Sequence, residues 1–183
     1  MRLFVGIEFP PAAEAALAKC QDDLRRRAER GRFKSRENFH LTLQFLGEVP
    51  EDGIARLRQA LKEAAGGGPF TLRLGRLGQF GQDNPVRVVW VDVGGDAERL
   101  QALQARVRQV LAGAGFPAER RRWQPHITLA QDVLFAGKTP AWSEIPVDPV
   151  PFAVTEFTLL LSEERERRRV YTPLYRFSLR EDA

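Results

Sequence analysis

The chain holds only two histidines in 183 residues, and both stand in the same short pattern, His40-Leu41-Thr42-Leu43 and His126-Ile127-Thr128-Leu129. In an extended strand, residues i and i+2 point to one face, about 6.5 Å apart along the chain. Each His-x-Thr unit therefore presents an imidazole and a hydroxyl on one side and aliphatic side chains on the other. A lone histidine on a strand is more often structural than catalytic. Threonine makes up only 7 of 183 residues, so its recurrence two places after both histidines is a chance on the order of 0.1% by composition alone.

Two imidazoles and two hydroxyls suit general acid–base catalysis on a phosphodiester. A neutral imidazole takes a proton from attacking water while an imidazolium gives one to the leaving oxygen. Histidine is the side chain whose ordinary pKa allows both forms near neutrality, and each such transfer contributes about 10²–10⁴-fold. Threonine hydroxyls donate hydrogen bonds to the non-bridging phosphate oxygens, where charge must be held in the transition state. Neither a nucleophilic side chain nor a metal is needed.

The composition narrows the alternatives. One cysteine, Cys20, excludes an internal disulfide and a Cys-based zinc cage, and two histidines leave no multi-His metal site. No metal and no cofactor are expected. The longest apolar runs are strand-sized, such as Leu159-Leu160-Leu161, so no membrane span is predicted. The start, Met1 to Glu8, lacks a signal peptide's apolar stretch, and a cytoplasmic location is expected. Net charge is only +4, yet 24 of the 28 basic residues are arginine, whose planar fork suits phosphate oxygens. Surface charge is ordinarily solvation, so this balance is compatible with an anionic ligand without identifying one. Arg25-Arg26-Arg27 reads as a solvated helix face beside Asp22 and Asp23, and Arg165 to Arg169 as a hairpin loop. Arg120-Arg121-Arg122 ends four residues before His126 and carries more interest.

The elements that must position the two motifs follow from periodicity. Residues 2–8 read as a strand, Ala12 to Arg30 as a helix with Ala13, Ala16, Leu17, Cys20 and Leu24 on one face, and Phe39 to Leu46 as the first His-x-Thr strand. A helix capped by Asp52 runs to about Ala65, followed by strands near 70–77 and 86–93 and a helix from Asp96 to Ala112. Pro125 to Gln131 is the second His-x-Thr strand, and 152–161 with 169–179 form a closing hairpin. Strand, long helix, then His-x-Thr strand thus occurs twice, with 36 residues from Phe4 to His40 and 38 from Val88 to His126. Two such α+β lobes facing each other would bring both motifs to a common cleft.

These residues resemble a known family, the 2H phosphoesterases, and within it the RNA 2′,3′-cyclic phosphodiesterases also called 2′-5′ RNA ligases. The likeness runs through Arg2 to Ile7, Arg36 to Val49, Trp123 to Ala130, and Leu161-Ser162 through Tyr175, nearly the whole chain. It implies one domain over 1–183 with a bilobal α+β fold, each pseudo-symmetric lobe having an antiparallel sheet and helices, the cleft between them. It implies metal-independent opening of a terminal 2′,3′-cyclic phosphate on RNA to a 2′-phosphomonoester, with reversible 2′-5′ ligation as a further capacity. On that pattern His40 is the general acid, His126 the base, and Thr42 and Thr128 hold the phosphate. Many relatives carry Arg where this chain has Gln131. Flat alternation sets Gln131 behind the cleft floor, its place on that face taken by Ala130. If the relatives' Arg reaches phosphate, Arg121 or Arg122 must compensate here.

Lys34, Arg36, Arg121, Arg122 and Trp123 are candidate RNA contacts. Phe45, Phe80 and Trp123 are candidate base-stacking rings, although alternation assigns Phe45 to the core. Ser162 and Tyr171 are assigned to fixing the closing hairpin. The expected partner is RNA ending in a 2′,3′-cyclic phosphate, tRNA halves among the candidates, and the expected state is a monomer. Two other functions compete: a 2H enzyme for 2′-5′ oligonucleotides or small cyclic nucleotide phosphates, and a non-catalytic RNA-binding module.

Overall fold

The computed structural model describes residues 1–117 and 119–182. Two antiparallel sheets face each other across the molecule. Strands β1 (Arg2–Ile7), β3 (Leu41–Glu48), β8 (Glu156–Arg165) and β9 (Arg168–Ser178) form the first sheet, in the order β3-β1-β8-β9. Strands β2 (Arg30–Phe33), β4 (Phe70–Phe80), β5 (Val86–Gly95), β6 (Ile127–Leu134) and β7 (Pro151–Val154) form the second, in the order β2-β6-β5-β4-β7. The α+β, two-sheet architecture expected from the sequence is the one observed.

The two halves share a plan. β1 leads through helix α1 (Pro11–Arg27) to β3 and pairs with it, and β5 leads through helix α3 (Ala97–Gly113) to β6 and pairs with it. The helices are exchanged, however. α1 packs on β2, β6 and β7 of the second sheet, whereas α3, with α2 (Ile54–Glu63) beside it, packs on β3 of the first. Each His-x-Thr strand therefore buries its aliphatic side, Leu41 and Leu43 or Ile127 and Leu129, against the helix of the other half, not of its own lobe. One apolar cluster runs through both sheets as a result. Burial at roughly 25 cal/mol per Å² of apolar surface then resists any splaying of the cleft.

Several boundaries differ from the sequence reading: β4 runs on to Phe80 and β6 to Leu134, and three further differences change how elements join. α1 stops at Arg27, because Ala28 turns extended and the Glu29 N–H bonds the Leu134 carbonyl at 2.8 Å, starting the short strand β2. The first arm of the closing hairpin is two strands that break at Thr155: β7 pairs with β4 in the second sheet, β8 with β1 and β9 in the first. The Asp52 cap is replaced by a 3-10 turn, Glu51–Gly53, with no side-chain cap bond. The Arg165 to Arg169 cluster does form the expected hairpin turn, with Glu166 and Arg167 in the left-handed region.

Buried Gln21 on α1 fastens the second sheet near the cleft. Its amide N–H₂ donates to the Lys34 carbonyl at 2.8 Å and to the Leu129 carbonyl at 2.9 Å, satisfying a polar group that would be costly to bury unpaired. Those bonds seat Lys34 at the end of β2, beside the bulge described next.

Candidate active site

Both histidines immediately precede a strand, and both make the same local bond. The His40 Nδ1 lies 2.8 Å from the Asn38 carbonyl, and the His126 Nδ1 lies 2.8 Å from the Gln124 carbonyl. A carbonyl only accepts, so each Nδ1 carries the proton, and each neutral ring keeps its lone pair on Nε2. The two Nε2 atoms then differ. That of His40 accepts from the Thr42 hydroxyl at 2.9 Å, while that of His126 has no hydrogen-bond partner among the described residues.

Aromatic side chains buttress each ring. Phe4 and Tyr171 stand against His40, with centroids 4.7 and 5.0 Å away, the Tyr171 contact edge-on. Phe80 meets His126 edge-on at 4.9 Å, and Trp90 lies 6.4 Å away. Trp90 crosses directly over Gly78 on the neighbouring strand, where a Cβ would come within 2.3 Å of the indole, so the ring's position requires glycine there. Packing on this scale removes water from the imidazoles and disfavours their charged forms. Burial drives His40 down to about 4, against the pull of the Asn38 carbonyl and with help from the nearby charge of Lys34. Burial also holds His126 below its ordinary value.

A bulge follows each motif at the same step. In β3, Gly6 pairs with Thr42 but Val5 pairs with Gln44, leaving Leu43 as an extra residue. In β6, Trp90 pairs with Thr128 but Val89 pairs with Ala130, leaving Leu129 as the extra residue. One extra residue reverses the facing of all that follows. Ala130 and Gln44 are buried, although Gln44 still borders the cleft, while Phe45 and Gln131 turn to it.

The cleft has a volume of about 450 Å³, and His40, Thr42, His126 and Thr128 all line it. Four cations enter its wall from three places: Lys34, Arg87, and the adjacent Arg121 and Arg122. Burial, and then the neighbouring charges of Arg32 and Arg169, lower the Lys34 pKa. Trp123 also lines the cleft, its indole N–H donating to the Thr42 carbonyl at 3.0 Å.

The family model for the 2′-5′ RNA ligase superfamily matches residues 9–166, most of the chain. The chain belongs to that superfamily. Among its curated members, an Aeropyrum pernix protein named RNA 2′,3′-cyclic phosphodiesterase is 40% identical over 95 residues, 52% of this chain and 53% of the relative. The chain thus spans about half the length of that relative. An Escherichia coli K12 protein of the same name is 37% identical over 158 residues, covering 82% of this chain and 81% of that one. Among solved structures, E. coli LigT complexed with 3′-AMP superposes with a TM-score of 0.80 at 33% identity, covering 97% of each chain.

Within this member of the superfamily, four of the expected RNA contacts, Lys34, Arg121, Arg122 and Trp123, line the cleft. Arg36 does not. Its Nε donates to Glu14 of α1 at 2.7 Å, and it stands outside the cleft wall. Three assignments are corrected. Phe45 is no core residue but 51% exposed on the cleft side of its bulge. Gln131 lies on the cleft wall, and Ala130, expected there, is buried. Tyr171 does more than fix the hairpin, since it packs on His40. Arg87 and Asn38 went unread in the sequence. Asn38 sits two residues before His40, where a preceding carbonyl orienting the ring was a readable possibility; nothing marked Arg87 except its even spacing from Val89 and Val91. Cys20 is buried as expected, its thiol pushed up to about 12 and so inert.

Proposed function

We propose that this protein hydrolyses the 2′,3′-cyclic phosphate at the end of an RNA strand, leaving a 2′-phosphomonoester. The observation that carries the reading is the asymmetry between the two imidazoles in one cleft: the Nε2 of His126 is free to accept a proton, and that of His40 already shares one with Thr42.

In this mechanism His126 Nε2 takes a proton from water as the water oxygen attacks phosphorus. The bond from phosphorus to O3′ breaks, and His40 Nε2–H protonates O3′ as it leaves. Thr42 and Thr128 donate to the non-bridging oxygens. When His40 is protonated, its Nε2 can no longer accept from the Thr42 hydroxyl, which frees that hydroxyl proton for the phosphate while the Nε2–H serves O3′. Phosphate binding and proton uptake by His40 thereby favour each other. A 5′-hydroxyl in place of water would give a 2′-5′ linkage with the same two roles, and cleavage of that linkage would exchange them. Phe45 supplies an exposed ring for the terminal base, and E. coli LigT, of the same fold, has been crystallised in complex with a nucleotide, 3′-AMP.

The test uses an oligonucleotide ending in 2′,3′-cyclic phosphate, with EDTA present, against wild type, His40→Ala and His126→Ala. Wild type is expected to yield the 2′-phosphate, read by phosphorus NMR, and each variant to lose about 10²–10⁴-fold. No conversion by wild type, or full activity in both variants, overturns the proposal.

A further inference from the structure

Beyond the catalytic cleft, Arg122, Trp123 and Gln124 also line a second cavity, of about 560 Å³, whose remaining wall includes Gln101, Gln104 and Arg108 of α3. The shared wall is anchored on both sides of β3's motif. Trp123 bonds the Thr42 carbonyl, and the Gln104 amide reaches the Leu43 carbonyl at 3.4 Å. The two cavities therefore adjoin through three consecutive residues held at a fixed place.

The arginines of α3 divide by what they do. Arg106 donates to the Ala64 and Gly66 carbonyls, and Arg99 to the Gly67 carbonyl, so both tie α3 to the loop after α2. Arg108 is exposed and forms neither a hydrogen bond nor an ion pair among the described residues, and the same holds for Arg122. Two uncommitted guanidinium groups, a fixed indole and the exposed amide of Gln101 bordering one groove are the parts that bind single-stranded nucleic acid: cations along the backbone, an aromatic face, and adaptable polar groups. A cleft of about 450 Å³ suits one small ligand, and a strand longer than one nucleotide must leave it along some path.

We propose that this groove is a subsite for the RNA strand adjoining the terminal nucleotide, with Arg108 and Arg122 on its phosphates. The protein is then an enzyme of RNA strands in preference to cyclic mononucleotides. This rests on reading the cleft as a cyclic-phosphate site, and the experiment separates the two.

Hydrolysis of a mononucleoside 2′,3′-cyclic phosphate is compared with that of a tetranucleotide carrying the same end, for wild type, Arg108→Ala, Arg108→Lys and Arg108→Glu. Wild type is expected to favour the tetranucleotide in kcat/KM. The ratio should fall about fivefold in Arg108→Ala, further in Arg108→Glu, and be largely restored by Lys. The logarithmic salt dependence of tetranucleotide binding, followed by fluorescence anisotropy with a 2′-phosphate end, should weaken by about 0.7 in Arg108→Ala. Equal use of both substrates by wild type, or an unchanged ratio and salt slope in the variants, overturns the groove while leaving the cleft reading intact. If neither substrate is opened, the hydrolase reading fails, and the anisotropy series alone decides the groove.

Discussion

Phe45 and Gln131 occupy the same place in two copies of one device. Each is the fifth residue after its histidine, each follows a one-residue bulge, and each is thereby delivered to the cleft wall. The repeat makes the positions equivalent, and the residue types make the cleft unequal: an aromatic face beside His40 and Thr42, an amide beside His126 and Thr128. A nucleotide has the same polarity, a flat base at one end and a phosphate at the other.

Phe45→Ala should therefore weaken nucleotide binding without unfolding the protein. Base–aromatic stacking is worth about 1–3 kcal/mol, so KM should rise about 5- to 150-fold, with kcat less affected. Because the ring is 51% exposed, the melting temperature should stay close to that of wild type. Steady-state kinetics on a cyclic-phosphate oligonucleotide decides it, and an unchanged KM rules the platform out.

What the sequence disclosed and what it concealed follow from how far apart the interacting residues lie. The facing of His40 with Thr42, and of His126 with Thr128, depends only on neighbours two places away, so it could be read directly. The fates of Phe45 and Gln131 depend on which residues of β1 and β5 pair with them, and alternation through the bulge assigned both to the wrong face. Arg25 to Arg27 were legible as a solvated face because Asp22 and Asp23 stand three and four residues before them. The contact of Tyr171 with His40 joins residues 131 places apart, and no local pattern announces it. The exchange of α1 and α3 between sheets is equally non-local, since both helices show the same kind of apolar stripe whichever sheet receives it.

Gln131→Arg should strengthen phosphate binding. The site already lines the cleft on the Thr128 side, and a guanidinium there would add a charge-assisted bond to an anionic ligand. KM is expected to fall about three- to tenfold, less than a fully buried pair would give because the wall is open to water. The free protein should melt slightly lower, since Lys34 and Arg87 share that wall. Inorganic phosphate inhibition offers an independent reading, and an unchanged or weakened inhibition constant would count against this placement.

The pH dependence of rate should differ between kcat/KM and kcat. The first reports the free enzyme, where His40 sits at about 4 and His126 below its ordinary value. In the proposed mechanism the competent form has His40 protonated and His126 neutral, so kcat/KM should decline about tenfold per pH unit once the pH exceeds 6.5. In the complex, the phosphate charge favours the His40 imidazolium, and kcat should persist to higher pH. Lys34→Met removes a positive neighbour of His40 and should move the decline of kcat/KM upward. Coincident profiles for kcat and kcat/KM would show that substrate leaves His40 unperturbed.

His40 should also leave a mark on stability. Its folded pKa, about 4, lies below the unfolded value of about 6.5. Between those values the unfolded chain binds more protons than the folded one, so stability rises with pH across that window. The contribution is complete above pH 6.5 and is lost as the pH falls toward 4, because the buried ring must then be charged to remain folded. Many carboxylates titrate nearby, so the measurement is a difference. His40→Gln keeps a polar side chain beside Thr42 and Asn38 and has no proton to gain. The fall in melting temperature from pH 7.5 to pH 4.5 should be larger for wild type than for His40→Gln, and an equal fall in both would mean that the imidazole is not held neutral by its packing against Phe4 and Tyr171.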